Sequence, residues 1–515
     1  METHNSNLGR SLFAPFSLAA GAAVLFLFFL HNRIRQSKST RRLPPGPRGW
    51  PIIGNILQIG PSPHKNIILL QRKYGPLIWL KLGSVNTLVI ASAQAAKEMF
   101  KNHDQHFCDR HRNETMIRDD GSHNGTIGLS DYGPQWKMMR RLYATELFTK
   151  KRLNDTTHLR RKCLDQLIKW VSDEAKHNPG KSIEVAKYVY AAIFNMVGDL
   201  VVSKDDLAHP EFIVTNVFFN TTADIIEVMA LPNVSDFFPI VRPFDLQGLK
   251  RKTEYKEKIA RKIIRTFIEE RRQRGVNPQH FQEKDLLEVL LDFEGNGKDE
   301  PSKISELYLE TFLLELFIAA PDATNITTEW AMSELLRKPE TMNKLQAEIA
   351  QVVGHERRME ETDMENLPYL HAVIQETLRL HAPAALLIPR SVINDIEVMG
   401  YLIPKGTQVW VNTWGIGRDP TTWEDPLSFT PERFLNSNIE YRGQNFEYIP
   451  FGAGRRICPG LPLGHIMLHL VLGSLVQSFD WSLEKGITRE TLDMDEKIRL
   501  TVRRANPLKV IPMQY

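Results

Sequence analysis

Phe451-Gly-Ala-Gly-Arg-Arg-Ile-Cys-Pro-Gly460 is the stretch on which the reading of this 515-residue chain turns. It places one cysteine directly before a proline in a glycine-rich turn, with Arg455 and Arg456 just upstream. Gly452, Gly454 and Gly460 allow backbone conformations and close approaches that a Cβ would block. Backbone N–H groups in such a turn are free to aim at the sulfur and stabilise its negative charge. A helical pattern begins near Leu461, and the positive end of its dipole adds to that field. A thiolate held this way is a strong iron ligand. An isolated cysteine would read as an inert small hydrophobe, so the surroundings of Cys458 decide its reading.

The other two cysteines, Cys108 and Cys163, lie far from it in sequence. Three scattered cysteines make neither a CxxC motif nor a disulfide framework, and they fit a reducing compartment. The chain is 42% hydrophobic and 24% charged, ordinary proportions over a length that buries a large core. A net charge of +4 is too small for a dedicated nucleic-acid binder.

Residues Leu12–Leu30 carry no charge. As a helix they would span ~28 Å, close to the hydrocarbon thickness of a bilayer. Only Arg10 precedes this run, whereas Arg33, Arg35, Lys38, Arg41 and Arg42 follow it. The positive-inside bias therefore puts the body of the protein in the cytosol. Pro44, Pro45 and Pro47 then rule out a helix and predict a stiff, extended spacer.

Beyond the spacer, Pro76–Leu82 and Thr87–Ala91 read as strands. Apolar spacings of three and four predict helices over Ala95–Lys101, Gln135–Leu147, Arg160–His177, Tyr255–Arg274 and Ser305–Arg337. Gly295–Lys303 reads as a loop, and short strands and turns return near the carboxyl terminus. The expected class is mainly α with smaller β-sheets, in one large domain.

The cysteine stretch matches the haem-binding pattern Phe-x-x-Gly-x-Arg-x-Cys-x-Gly at Phe451, Gly454, Arg456, Cys458 and Gly460, and the chain resembles cytochrome P450. The resemblance implies the cytochrome P450 fold with an N-terminal transmembrane helix. It implies haem b (iron protoporphyrin IX) as cofactor, Cys458 as its iron ligand and Phe451 beside it. Glu376-Thr-Leu-Arg379 lies in the helical stretch Tyr369–Leu380, where a spacing of three puts both charges on one face. The family makes this pair buried and completes it with an arginine downstream, which Pro431-Glu-Arg-Phe434 supplies as Arg433. Trp136-Lys-Met-Met-Arg140 matches the Trp-x-x-x-Arg pattern that contacts a haem propionate. Arg390 and Arg456 occupy further propionate positions, since arginine binds buried carboxylates in a bidentate manner.

No GxGxxG fingerprint opens a helix after a strand, so electrons must come from a partner. The resemblance implies NADPH–cytochrome P450 reductase, with Lys137, Arg140 and Arg141 near the docking face. The implied plan is a short lumenal tail over residues 1–11, a transmembrane anchor over 12–30, a basic and Pro-rich hinge over 31–55 and a haem-binding catalytic domain over 56–515. The implied location is the endoplasmic reticulum membrane, single-pass, with the catalytic domain facing the cytosol.

The hinge, the cysteine loop and Glu329-Trp-Ala-Met332 resemble plant microsomal P450s of the A-type. Ser437–Tyr441, Phe446–Gly452 and Leu492–Met494 resemble the alkaloid-oxidising group that includes N-methylcoclaurine hydroxylase and berbamunine synthase. The neighbouring geraniol-hydroxylase-like group, which acts on terpenoids, shares many of the same words. The expected activity is a haem-thiolate monooxygenase acting on a hydrophobic alkaloid or terpenoid. The alternatives are oxidative phenol coupling or rearrangement without net oxygen insertion, and a non-catalytic haem-binding protein.

Ala319-Ala-Pro-Asp-Ala-Thr324 departs from the family text, which reads Ala/Gly-Gly-x-Asp/Glu-Thr-Thr/Ser. Asp322 aligns with the acid that helps deliver protons during oxygen activation. Ala323 stands where the partnering threonine is usual, and Thr324 is one residue on, rotated by ~100° around a helix. Asp322 and Thr324 are therefore the candidate catalytic residues. Pro321 removes a helical hydrogen bond and predicts a kink there.

Overall fold

The apolar strand Leu77–Leu82 pairs antiparallel with Val85–Ile90, Leu77 opposite Ile90 and Leu82 opposite Val85. Val85–Ile90 then runs parallel to Gln408–Val411, and Arg390–Ser391 and Asp109–Arg110 finish a five-stranded sheet. The last pairing sets Arg110 directly opposite Arg390. Strands from both ends of the chain thus bring two arginines together at one sheet edge. This architecture comes from a computed structural model that describes residues 42–211, 216–274, 284–298, 300–354 and 356–514. The tail, the anchor and the basic part of the hinge expected over residues 1–41 lie outside the described residues.

The Pro-rich part of the hinge is not a free-standing spacer. Trp79 N–H donates to the Pro45 carbonyl at 2.8 Å, and Leu402 N–H to that of Arg42 at 2.9 Å. The Asn55 side-chain amide holds the Pro47 carbonyl at 3.1 Å. The folded body therefore begins before residue 56. Prolines resist helix but leave carbonyls free to accept, and the sheet edge uses them.

Helices make up most of the body. Ser305 caps the long helix Glu306–Arg337 by accepting the Tyr308 N–H. That helix is apolar almost all round, and it is buried accordingly against Val185–Val202 and the cysteine helix Leu461–Ser478. These last two are themselves long and apolar enough to cross a membrane, yet both pack within the body. Pro321 does not break the long helix, which runs through it as one element. The predicted helix over Gln135–Leu147 begins as Pro134–Leu142 and widens into a π-turn over Tyr143–Leu147. Tyr143 and Leu147 from that turn border the main cavity, where π-turns are often found at functional sites.

Candidate active site

Cys458 sits between its loop and the cysteine helix. Its N–H donates to the Phe451 carbonyl at 3.0 Å, which closes the loop. Gly452 and Gly454 have φ of 71° and 68°, the left-handed region that favours glycine. A Cβ on Gly454 would lie 2.4 Å from Asp104 Oδ1. Gly460 differs from the expectation: its φ is −81°, and a Cβ there would meet Cys458 Sγ at an ordinary 3.9 Å. Its contribution is its N–H, which with that of Leu461 points at the sulfur. Burial pushes the Cys458 thiol up, while these two N–H groups and the Arg140 charge pull it down. A thiolate here needs a cation against it, as a bound iron would provide.

The sulfur faces a cavity of about 340 Å³. Phe451, Cys458 and Gly460 form one wall, and Leu316, Ala320 and Thr324 of the long helix form the opposite one. The lining is mainly apolar, but four arginines border it, Arg110, Arg140, Arg390 and Arg456, against one carboxylate, Glu315. Burial pulls all four guanidinium pKa values down, that of Arg456 to about 10. Such convergence of like charge in a buried site is costly without an anion to meet it.

Arg140 Nη1 is buried without a hydrogen-bond partner among the described residues. Among the described residues, Arg456 hydrogen-bonds only carbonyls, those of Cys108 at 2.8 Å, Ile127 at 3.0 Å and Ser130 at 2.7 Å. Arg390 bonds Asp104 at 3.1 Å and the Ala453 carbonyl at 3.0 Å. Trp136 Nε1 donates to the Ile127 carbonyl at 3.2 Å. These groups fit the two carboxylates of a haem. Arg140 is turned inward, so of the expected docking cations only Lys137 and Arg141 are exposed. Arg141 pairs there with Glu300.

Sequence reasoning missed three members of this site. Arg110 escaped because its strand is two residues long, and only the sheet register reveals its neighbour Arg390. Asp104 ties the loop to Arg390 through the Arg455 N–H at 2.9 Å. Glu315, four residues before Ala319 on the long helix, accepts the N–H groups of Ile127 and Gly128 at 2.7 and 2.6 Å. It thereby holds the backbone that supplies the Ile127 carbonyl to Trp136 and Arg456.

The expected ion-pair triad forms as a unit. Glu376 and Arg379, both fully buried, share two bonds of 2.7 Å, and Arg433 Nε reaches Glu376 at 3.1 Å. Arg379 also binds the carbonyls of Gly417 and Pro426 at 2.6 and 2.8 Å, and Arg433 that of Glu424 at 2.8 Å. The triad fastens the helix Pro368–Leu380 to the segments that precede the cysteine loop.

The distal wall is arranged differently. Thr324 borders the cavity together with Ala323, despite the rotation expected from its position. Asp322 does not border it. Its carboxylate is buried behind the wall, where Arg503 Nη2 donates at 2.6 Å and the Thr501 hydroxyl at 2.8 Å. Burial pushes its pKa up, while Arg503 and Thr501 pull it down. Thr501, from the turn between Glu496–Ile498 and Val502–Arg504, does border the cavity. The buried acid therefore reaches the cavity through a hydroxyl that lies far from it in sequence.

Comparison with known proteins agrees with this geometry. Residues 44–511 match the family model for cytochrome P450. An iridoid oxidase of Catharanthus roseus is 44% identical over 502 residues, 96% of each chain. A geraniol 8-hydroxylase from the same plant is 38% identical over 480 residues, 92% of this chain and 95% of its own. A zebra fish cytochrome P450 solved with progesterone superposes with a TM-score of 0.72 at 27% identity, covering 88% of this chain and all of that one. The plant relatives bear the names of the terpenoid side of the sequence resemblance, not its alkaloid side. With the cysteine loop, the arginine cradle and the buried triad in place along one continuous match, the chain belongs to the cytochrome P450 family and is a haem b-dependent monooxygenase.

Proposed function

We propose that this monooxygenase oxidises a small terpenoid, in the size range of an iridoid or a monoterpene alcohol, with electrons from NADPH–cytochrome P450 reductase. The names of the plant relatives support the substrate class. The observation that carries the reading is the apolar cavity between Cys458 and the long helix, with its cations gathered at the cofactor end. An apolar lining with few polar groups suits a hydrophobic molecule that is held by shape. Cys458 would ligate the iron, and Arg110, Arg140, Arg390, Arg456 and Trp136 would hold the propionates. Once bound, the haem supplies the iron at which dioxygen is activated, with the thiolate donating electron density.

The protein's own part on the distal side is to move protons. Asp322 is the buried acid, and Thr501 passes its proton to water in the cavity, a role in which a raised carboxyl is well matched. Arg503 holds Asp322 in position. Ala323 gives no hydroxyl, and this absence favours the second reading, coupling or rearrangement without net oxygen insertion. Screening monoterpene alcohols, iridoids and phenolic alkaloids with reductase and NADPH separates the two. An oxygenated terpenoid product supports the proposal, whereas a coupled or isomerised product lacking new oxygen overturns it.

The reading as an endoplasmic reticulum protein with a single anchor rests on residues 12–30 and on an exposed apolar surface next to the hinge. Trp50, Ile52 and Leu57 are exposed there, and so are Ile240, Phe244 and Leu246. The two groups adjoin through Gly83 and Ser84, whose N–H groups bond the Ile53 and Phe237 carbonyls. A patch of this kind beside a membrane anchor suits contact with lipid.

A further inference from the structure

Away from the cavity, three histidines converge where no haem chemistry needs them. His371 comes from the helix Pro368–Leu380, and His465 and His469 stand one turn apart on the cysteine helix. One ligating nitrogen of each lies within 4.8 Å of the others. His371 Nδ1 and His469 Nε2 are 3.0 Å apart.

Each ring also has a nitrogen engaged outside the cluster. His371 Nε2 faces the Glu440 carboxylate at 3.4 Å, and His469 Nδ1 donates to the His465 carbonyl at 2.7 Å. His465 Nδ1 meets the Tyr441 hydroxyl. A carbonyl only accepts, so His469 carries its proton on Nδ1 and keeps a lone pair on Nε2. A neutral His371 has one proton for two acceptors, the Glu440 carboxylate at Nε2 and the His469 lone pair at Nδ1. A metal ion between His371 Nδ1 and His469 Nε2 would meet both lone pairs and leave that proton to Glu440. Engagement of the outer nitrogen by carboxylate, hydroxyl or carbonyl is also the arrangement that orients metal-binding histidines. Burial lowers all three imidazole pKa values, that of His465 to about 4, which leaves the rings neutral and able to ligate.

From this geometry we infer a second metal site, separate from the haem pocket, in which His371, His465 and His469 bind one divalent transition-metal ion of the zinc type. A tetrahedral zinc with three imidazoles sets its ligand nitrogens about 3.3 Å apart, within small ring rotations of the observed cluster. Water would complete the set. The ion would join the triad helix, the cysteine helix and the segment carrying Tyr441, whose ring lies 5.3 Å from that of Phe451. It would therefore brace the cysteine side of the cavity from behind.

The test uses the full-length, haem-loaded enzyme without a histidine tag, treated with a chelator and titrated with zinc sulfate. Zinc and haem are counted after gel filtration, and the affinity is measured by calorimetry. One zinc per haem is expected, with three imidazole nitrogens in the zinc X-ray absorption spectrum. His371→Ala and His469→Ala are each expected to lower the affinity at least about 100-fold, and Glu440→Gln about 10-fold to 100-fold. The reduced carbon monoxide spectrum of each variant confirms that the haem side has folded. His465→Gln, which keeps the volume, replaces any variant that loses haem. A parent enzyme that binds no zinc at about 100 µM overturns the site, and so does zinc binding that is unchanged in the histidine variants.

Discussion

The two walls of the cavity hold their charges in opposite ways. On the cysteine side, cations point inward, and among the described residues Arg140 and Arg456 meet no carboxylate there. On the distal side, the one acid of the Ala319–Thr324 segment points away and is already neutralised by Arg503. A wall that grips a permanent anionic cofactor can keep unanswered charge. A wall that handles dioxygen, water and an apolar substrate cannot, because a fixed charge in that space would bind water and exclude the substrate. The distal acid is therefore stored behind the wall and reached through Thr501.

The harshest way to break this comparison is to remove the sulfur. Cys458→Ala is expected to reduce product formation to background and abolish the thiolate signature of the reduced carbon monoxide complex. Cys108→Ala and Cys163→Ala should retain both, because these thiols are buried and burial raises them, to about 11 and about 12. Each should cost only about 1–2 kcal/mol of stability in a denaturant titration.

Next in size is the triad. Glu376→Ala leaves Arg379 fully buried with carbonyls but no counter-charge. A cost of about 3–5 kcal/mol is expected, read as a lower unfolding midpoint and a smaller yield of haem-loaded protein. Distal variants should not share this loss. Asp322→Asn is expected to lower turnover about 100-fold or more while leaving haem content intact. A matching loss of haem would show that Asp322 is structural and that the walls do not divide the work.

The same contrast governs what could be read from the chain. The cysteine wall was legible because its parts lie in short words, Phe451–Gly460, Glu376–Arg379 and Trp136–Arg140, in which spacing shows which side chains share a face and the family pattern supplies their roles. Arg433 and Arg390 were found by matching family words in chain order. The roles of Arg110, Asp104, Glu315 and Thr501 were not found, because each acts through a partner brought near only by folding. Glu315 reaches residues 187 and 188 positions away, and Thr501 meets Asp322 across 179. The family register identifies Asp322 as the acid but does not reveal that its carboxylate lies behind the wall rather than on it. The long helix was read correctly from its apolar run, and it continues through Pro321.

Acid provides a milder perturbation of the distal wall. The hairpin that carries Thr501 and Arg503 is pinned by Glu496, which takes His64 Nε2 at 3.0 Å and the Trp414 indole N–H at 3.1 Å. Burial alone would raise the Glu496 carboxyl, but the His64 bond and the charges of Arg418 and Lys65 outweigh it and bring it to about 2. A depressed carboxyl contributes stability above its unfolded value of 4.5 and loses it as pH falls towards 2. Unfolding midpoints measured between pH 6 and pH 3 should therefore fall less for Glu496→Gln than for the parent, over about the lower half of that range. Equal slopes would mean that the hairpin is held by other contacts.

The finest test lies at position 323. If Thr501 supplies the hydroxyl that the long helix lacks, Ala323→Thr adds a redundant one beside Thr324. Product formed per NADPH consumed should then change by less than about twofold. Thr501→Ala should lower that ratio about tenfold and release the difference as peroxide. A several-fold gain from Ala323→Thr would instead show that the parent wall runs uncoupled for want of an alcohol on the helix. Proton delivery would then belong to the helix itself, and the carboxylate behind it would serve only to anchor Arg503.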